Sequence, residues 1–158
     1  MIKIVINVLI ILAVFLIMEC VAWLSHKYIM HGFGWFLHKD HHQKEEKKGF
    51  FEKNDFFFLI FAIPGILCLL FGSLFHLDFL LMIGAGITLY GAAYFLVHDV
   101  FIHQRFKVFR NSDSVYLRAI RKAHKVHHKY LTKHDGESFG MLWVPIKYFK
   151  EAIKINRK

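Results

Sequence analysis

The fold is decided by residues 56–97, FFFLIFAIPGILCLLFGSLFHLDFLLMIGAGITLYGAAYFLV. This stretch contains two uncharged apolar runs, 56–75 and 79–97. Each run approaches the ~20 residues that an α-helix needs to cross a bilayer core of ~30 Å. Only His76, Leu77 and Asp78 separate them, so they are predicted to form a hairpin of two transmembrane helices.

A third apolar run covers residues 4–24, in which Glu19 is the only charged residue. It is longer than the apolar part of a signal peptide and lacks a convincing cleavage site, so we expect a retained span. The composition agrees, because 56% hydrophobic residues in a chain of 158 are too many for a small soluble domain. We therefore predict an all-α, multi-pass membrane protein in which residues 1–158 form one domain with a helical, histidine-rich cap.

Basic residues predict the orientation. Of the 21 lysines and arginines, only Lys3 precedes the first span, and none lies between Asn54 and Gln104. The positive-inside rule places the N-terminus outside and the cap and C-terminus in the cytoplasm of an inner-membrane protein. Most of these cations are expected to be solvated, and some to contact anionic lipids or an acidic protein. No nucleic-acid partner is expected, and the oligomeric state stays open.

Ten of the twelve histidines fall into four groups. Their order is HxxxxH followed by HxxHH, and this order occurs twice. The topology argument, made without histidine, places all four groups on one side of the membrane. The groups are His26 and His31; His38, His41 and His42; His98 and His103; and His124, His127 and His128.

These spacings predict metal binding by all ten side chains. Positions i, i+3 and i+4 share one face of an α-helix, so each HxxHH is expected to converge on a metal. The two histidines of HxxxxH lie about 140° apart on an α-helix, so they address different metals or lie where the helix loosens, as Gly32 and Gly34 allow.

The number of ligands predicts the metal. Zinc needs three or four ligands and has no redox chemistry, so ten imidazoles exceed its requirement. Divided between two ions, they give five each and leave one position open, which suits two iron ions that activate O₂. Two zinc ions in the same ligands remain an alternative. The cysteines, Cys20 and Cys68, lie in apolar runs and indicate neither a disulfide nor a thiolate site.

Several polar residues near the histidines are candidates to orient the imidazoles. Glu19 precedes His26 by seven residues and so lies on nearly the same helix face, which predicts a polar contact toward the metal chamber. An outer role is also considered for Asp40, Asp99, His134, Asp135 and Glu137, with a solvated surface role as the alternative. Six aromatic residues near the clusters are candidates to line a substrate entrance: Trp35, Phe36, Phe50, Phe51, Phe139 and Trp143.

The chain resembles the bacterial β-carotene hydroxylases of the membrane fatty acid hydroxylase superfamily. The motifs are HKYIMH, GWFLHKDHH, GFFEKND, HDVFIHQRF, AHKVHHK and ESFGMLWVP, which cover most of the chain after the first span. The resemblance implies a di-iron monooxygenase that uses O₂ and a reduced ferredoxin-type donor, with the same ten histidines as ligands. It implies hydroxylation of β-carotene at C3 of each ring, through β-cryptoxanthin to zeaxanthin.

Two alternatives remain at this point. A hydroxylase or desaturase of acyl chains or sterols can use similar histidine motifs. A membrane metal transporter or metal-binding protein belongs to another class, but it would carry ionisable ligands along a path through the spans. Here Glu19 is the only charged residue in the three apolar runs, and the ten histidines are predicted to gather on one side of the membrane.

Overall fold

The computed structural model describes residues 1–43, 49–106, 108 and 112–156. This part of the chain is helical and contains no strand, which confirms the predicted fold class. Some basic residues used in the topology argument lie outside the described residues: Lys44, Lys47, Lys48, Lys107, Arg110, Arg157 and Lys158.

Three long apolar helices form the body of the protein. They are α1 (Ile2–Leu24), α3 (Asp55–Leu74) and α4 (Asp78–Tyr94). Each agrees with a predicted span to within three residues. Each is also long and apolar enough to cross a membrane, where the helices that begin with α1 and α4 are counted as far as Phe33 and Ile102. Most of their large apolar side chains are exposed, as expected for helices that face lipid instead of water.

Small residues allow these helices to approach closely. A Cβ atom at Gly84 of α4 would lie 2.7 Å from Leu69 of α3, and one at Gly86 would lie 2.7 Å from Val14 of α1. Glycine at such contacts is typical of helix packing in membranes, where dispersion contacts between close backbones stabilise association. The central helix α4 thereby packs against both other spans.

Two spans continue as wider helical turns at the histidine end. The π-helical segment π1 (Ser25–Phe33) follows α1, and π2 (Phe95–Ile102) follows α4. The backbone leaves helical geometry at Gly32, and the short helix α2 (Trp35–His42) begins after it. The predicted loosening near Gly32 and Gly34 is confirmed.

The last two helices form a smaller unit beside the spans. These are α5 (Val115–His127) and α6 (Ile146–Asn156), and they pack through a core that includes Ile120, Ala123 and Tyr148. Between them runs a non-helical segment, residues 137–143, which we call the clamp loop. The buried face of α5 carries His124 and His127, so the unit brings the last histidine motif to the ends of the spans.

Candidate metal centre

The ten predicted histidines meet at one end of the three apolar helices. Nine of them form two compact groups in which the candidate ligand atoms lie within 4.8 Å of one another. The tenth, His128, has its Nε2 atom 2.9 Å from Nε2 of His124 in the second group. Group 1 contains His26, His31, His38, His42 and His127; group 2 contains His41, His98, His103 and His124.

Each HxxHH motif is divided between the two groups. His38 and His42 belong to group 1 while His41 belongs to group 2, and His127 is separated from His124 in the same way. The expectation that a whole triplet converges on one metal is therefore wrong. The reason is angular: residues i and i+4 are only 40° apart on an α-helix, whereas i+3 lies 60° from i on the opposite side.

The two histidines of each HxxxxH pair, in contrast, lie in the same group. His26 and His31 share group 1, and His98 and His103 share group 2. Both pairs lie in or next to π1 and π2, where i→i+5 bonding widens the helix, and the amide of His103 donates to the carbonyl of His98 at 2.9 Å. The wider turn brings residue i+5 back to the side of residue i.

These assignments give the centre an internal symmetry. Each group takes the HxxxxH pair from one copy of the doubled motif and the i+3 histidine from the other copy. Group 1 also takes the i,i+4 pair of the first copy, His38 and His42. The matching pair of the second copy is His124 and His128, so the symmetry places His128 with group 2.

The ligand atoms are spaced as a metal ion requires. Four neighbouring pairs of Nε2 atoms in group 1 are 3.0–3.2 Å apart, for example His26 to His38 at 3.0 Å and His31 to His127 at 3.2 Å. In group 2, His103 and His124 are 2.8 Å apart. Nitrogens bound at about 2.1 Å would be about 3.0 Å apart at right angles and about 3.4 Å apart in a tetrahedron. These distances fit imidazoles that share one metal ion.

Unpaired buried nitrogens also indicate that the histidines bind metal ions. Nε2 of His41 and Nε2 of His98 are buried and have no hydrogen-bond partner. A buried polar atom without a partner costs free energy, which a bound cation would recover. The donor set therefore fits two metal ions.

The other ring nitrogen of several histidines is held by a fixed acceptor. Three of these acceptors are backbone carbonyls. Nδ1 of His26 donates to Phe139 at 2.9 Å, and Nδ1 of His31 donates to Leu131 at 3.1 Å. Nδ1 of His127 donates to Glu137 at 3.0 Å. Nδ1 of His38 donates to Oδ1 of Asn54 at 2.6 Å, and Nδ1 of His41 donates to Oε2 of Glu52 at 2.8 Å. These bonds select the tautomer that leaves Nε2 free for a metal.

Sequence reasoning missed Glu52, Asn54 and Arg105 as individual residues, although FEKND and HQRF contain them. The guanidinium of Arg105 lies 3.1 Å from Glu52, 2.6 Å from Asp55 and 3.1 Å from Asp99. These ion pairs fix the carboxylates behind group 2. Their signal in the sequence was charge in the segments that follow two histidine motifs, since Glu52 comes ten residues after His42 and Arg105 comes two residues after His103.

The polar residues that were predicted to orient the imidazoles lie at different distances from the histidines. Asp99 lies 3.4 Å from Nδ1 of His98. Asp40 is buried but accepts from the backbone of Lys53, so it holds the segment that carries Glu52 and Asn54. The structure does not bring His134 or Asp135 to the centre; both are exposed, and Asp135 accepts from Thr132.

Glu19 contacts the clamp loop, and Glu137 is part of it. Glu19 accepts from the backbone of Leu142 and Trp143, and the side chain of Glu137 accepts from Lys147 and Tyr148. The predicted polar contact of Glu19 therefore goes to the clamp loop instead of directly to a histidine.

Burial keeps the imidazoles neutral. It lowers the pKa of His38 and of His127 to about 3 and holds the pKa of His41, His103 and His124 well below the usual range. Neutral imidazole is the form that binds metal ions.

An apolar cavity of about 380 Å³ adjoins the metal centre between α1, α3 and α4. Its walls include Phe57, Phe61 and Ile87, and its polar end is formed by His26 and Asn54. Of the aromatic residues predicted to line an entrance, Phe139 lines this cavity, while Trp143 lines a smaller one of about 280 Å³ beside Glu19.

Comparison with known proteins identifies the family of the chain. The family model described as "Fatty acid hydroxylase" matches residues 11–147. The chain belongs to the fatty acid hydroxylase family. This assignment confirms the resemblance inferred from the motifs.

Proteins that are similar to the chain include bacterial and plant proteins. A beta-carotene hydroxylase of Pantoea ananas is 43% identical over 139 residues, which cover 88% of this chain and 78% of the relative. One of Paracoccus sp. is 36% identical, covering 95% and 92%. A chloroplastic beta-carotene hydroxylase of Capsicum annuum is 39% identical, covering 81% and 41%. No solved structure matches the chain.

Proposed function

We propose that this fatty acid hydroxylase is a β-carotene 3-hydroxylase, which converts β-carotene to zeaxanthin through β-cryptoxanthin in xanthophyll biosynthesis. The observation that carries the proposal is the apolar cavity between the spans, whose polar end is lined by His26 of the histidine cluster. A lipid-dissolved ring can reach the cluster from the bilayer through such a cavity. The similar beta-carotene hydroxylases support the choice of substrate.

The ten histidines are proposed to hold two iron ions. Group 1 would hold one ion through five imidazoles, and group 2 together with His128 would hold the other. Bound iron would supply the O₂-derived oxidising power needed to break a ring C–H bond, with electrons from a reduced ferredoxin-type donor. Glu52 and Asn54 hold His41 and His38 in the required tautomer, and Arg105 holds Glu52 in place.

The size of the cavity supports reaction at one ring at a time. Along α3 its lining extends from Asn54, at the N-terminus of the helix, to Ile66, twelve positions further on, or about 18 Å at ~1.5 Å per residue. A rigid carotenoid is about as long as the ~30 Å bilayer core is thick. We infer that one ring and part of the polyene enter, while the other end stays in lipid.

The orientation is proposed from charge. We place the N-terminus outside and the metal centre and C-terminus in the cytoplasm, where a soluble electron donor has access. We also treat residues 1–158 as one domain, because histidines from π1 through α5 form a single centre. A reporter fused after Lys158 tests the orientation; activity of a periplasmic reporter there would contradict it.

Expression in a bacterium that accumulates β-carotene tests the function. We expect O₂-dependent formation of β-cryptoxanthin and zeaxanthin. Membrane-inserted, iron-loaded protein that leaves β-carotene unchanged but hydroxylates acyl chains or sterols would favour the alternative lipid hydroxylase. A metal transporter is disfavoured because both ligand groups lie together at one end of the spans.

A further inference from the structure

The clamp loop holds the metal centre through its backbone. The carbonyl of Glu137 accepts from Nδ1 of His127 at 3.0 Å, and that of Phe139 accepts from Nδ1 of His26 at 2.9 Å. The Phe139 ring also packs against His26 and His127, with centroids 5.6 and 5.1 Å apart. The position of this loop therefore sets the orientation of two group 1 histidines.

The clamp loop needs support from outside. It is neither helix nor strand, and Ser138, between the two carbonyls, has a φ of 59°. A residue other than glycine in this region carries strain, so neighbouring contacts must hold it. On one side α6 provides them, because Lys147, at 2.7 Å, and Tyr148 donate to the side chain of Glu137.

Glu19 provides the support on the other side. Its Oε1 atom accepts from the backbone amides of Leu142 at 2.8 Å and Trp143 at 3.1 Å, and its Oε2 atom accepts from the hydroxyl of Tyr90 at 2.8 Å. The residue is 9% exposed and lies within the first span. An ionisable group in such a position is costly, and these three hydrogen bonds offset the cost.

Gly140 allows the clamp loop to approach the carboxylate. A Cβ atom at this position would lie 2.7 Å from Oε1 of Glu19. The contact therefore requires a residue without a side chain, immediately after the residue whose carbonyl holds His26. This explains the order of the ESFG motif in physical terms.

We infer that Glu19 is a positioning residue for group 1, acting on His26 through the clamp loop. This inference rests on the proposed metal centre. Glu19 contacts α4 and the loop, whereas the acceptors found for group 2 are Glu52 and Asp99. Loss of Glu19 weakens one metal site and leaves the other intact, which distinguishes positioning from general structural support.

The test is a titration of purified, chelator-stripped protein with Fe²⁺ alone, without oxygen, in competition with a chelator. Wild-type protein is expected to bind two ions. Glu19→Leu is expected to lower the affinity of one site by about 10–100-fold, as for loss of other outer partners of metal ligands. Glu19→Gln keeps an oxygen that accepts from both amides, so the loss of the negative charge is the only change at Oε1. The Fe²⁺ affinity of this variant should stay within about threefold of wild type.

Two comparison variants complete the design. Cys20→Leu changes an exposed neighbour in the same span and should leave both sites unchanged. Should Glu19→Leu fail to insert, Gly140→Ala disturbs the same contact from the other side and should weaken the same site.

The outcomes separate the inference from the function on which it rests. Wild-type protein that binds no Fe²⁺ would contradict the proposed function. Two sites in wild type, with Glu19→Leu weakening neither or both equally, would overturn the positioning role alone. Equal losses in Glu19→Gln and Glu19→Leu would also overturn it, because the hydrogen-bond acceptor would then be irrelevant.

Discussion

Replacing Glu52 with alanine removes the acceptor that holds His41. The bond from Nδ1 of His41 to Oε2 of Glu52 is 2.8 Å long, and the two side chains are only 1% and 8% exposed. A hydrogen bond to a charged group contributes about 1.5–3 kcal/mol. Since about 1.4 kcal/mol corresponds to a factor of ten, Glu52→Ala should lower the affinity of the group 2 site by about 10–100-fold.

The effect of this change should be local. Arg105 keeps its contacts with Asp55 at 2.6 Å and Asp99 at 3.1 Å, so Glu52→Ala does not leave its charge buried and unpaired. Glu52→Gln keeps an oxygen that can accept from His41 and should retain most of the affinity. Group 1 should be unaffected, which is the reverse of the pattern expected for Glu19→Leu.

Chelator competition with Fe²⁺ measures the affinity, and β-carotene turnover measures the consequence. Asp113→Ala is the matched control, because it removes a carboxylate whose side chain is 99% exposed and pairs with Arg118 at the surface. Surface pairs contribute little to stability. The reasoning is refuted if Glu52→Ala releases iron at the same chelator concentration as the control variant.

Three further predictions concern catalysis. His127→Ala should abolish turnover while leaving membrane insertion intact, because it removes a fully buried histidine that is proposed as a ligand in group 1; product analysis beside a membrane-fraction immunoblot checks this. Gly91→Leu should lower kcat/KM for β-carotene by about 10–200-fold, because a Cβ there meets no atom within 4 Å and added carbons extend into the cavity. Its metal content should equal that of wild type, and loss of iron would contradict the steric explanation. Finally, labelled β-carotene chased with unlabelled β-cryptoxanthin should give zeaxanthin with diluted label, because a single centre reaches one ring at a time; undiluted zeaxanthin from the earliest times would mean that the intermediate stays bound.

The sequence was most informative where the physical signal is local. Apolar runs of about bilayer length identified the spans to within three residues, because most residues there face lipid or another apolar helix. The four histidine groups were likewise recognisable from spacing and residue type. The wider turns around His26 and His98 could be anticipated only as loosening, since no residue type marks a π-helix uniquely.

The arrangement of the centre could not be predicted from spacing. Helical periodicity gave the angle between His38, His41 and His42, but it did not say that His41 would join a different group from the other two. The hydrogen bond from His26 to Phe139 joins residues 113 positions apart, and the bond from Leu142 to Glu19 joins residues 123 apart. Such contacts depend on how the α5–α6 unit packs against the spans.

The sequence by itself determined an apolar helical membrane protein with ten histidines gathered at one end, and with them the candidate ligands of a metal centre. Only the tertiary structure decided which five histidines form group 1, which acceptors their Nδ1 atoms contact and which partners the carboxylate of Glu19 finds. The physical reason is range: hydropathy and helical angle are properties of consecutive residues, whereas a metal site and its supporting hydrogen bonds exist only after distant segments have packed together.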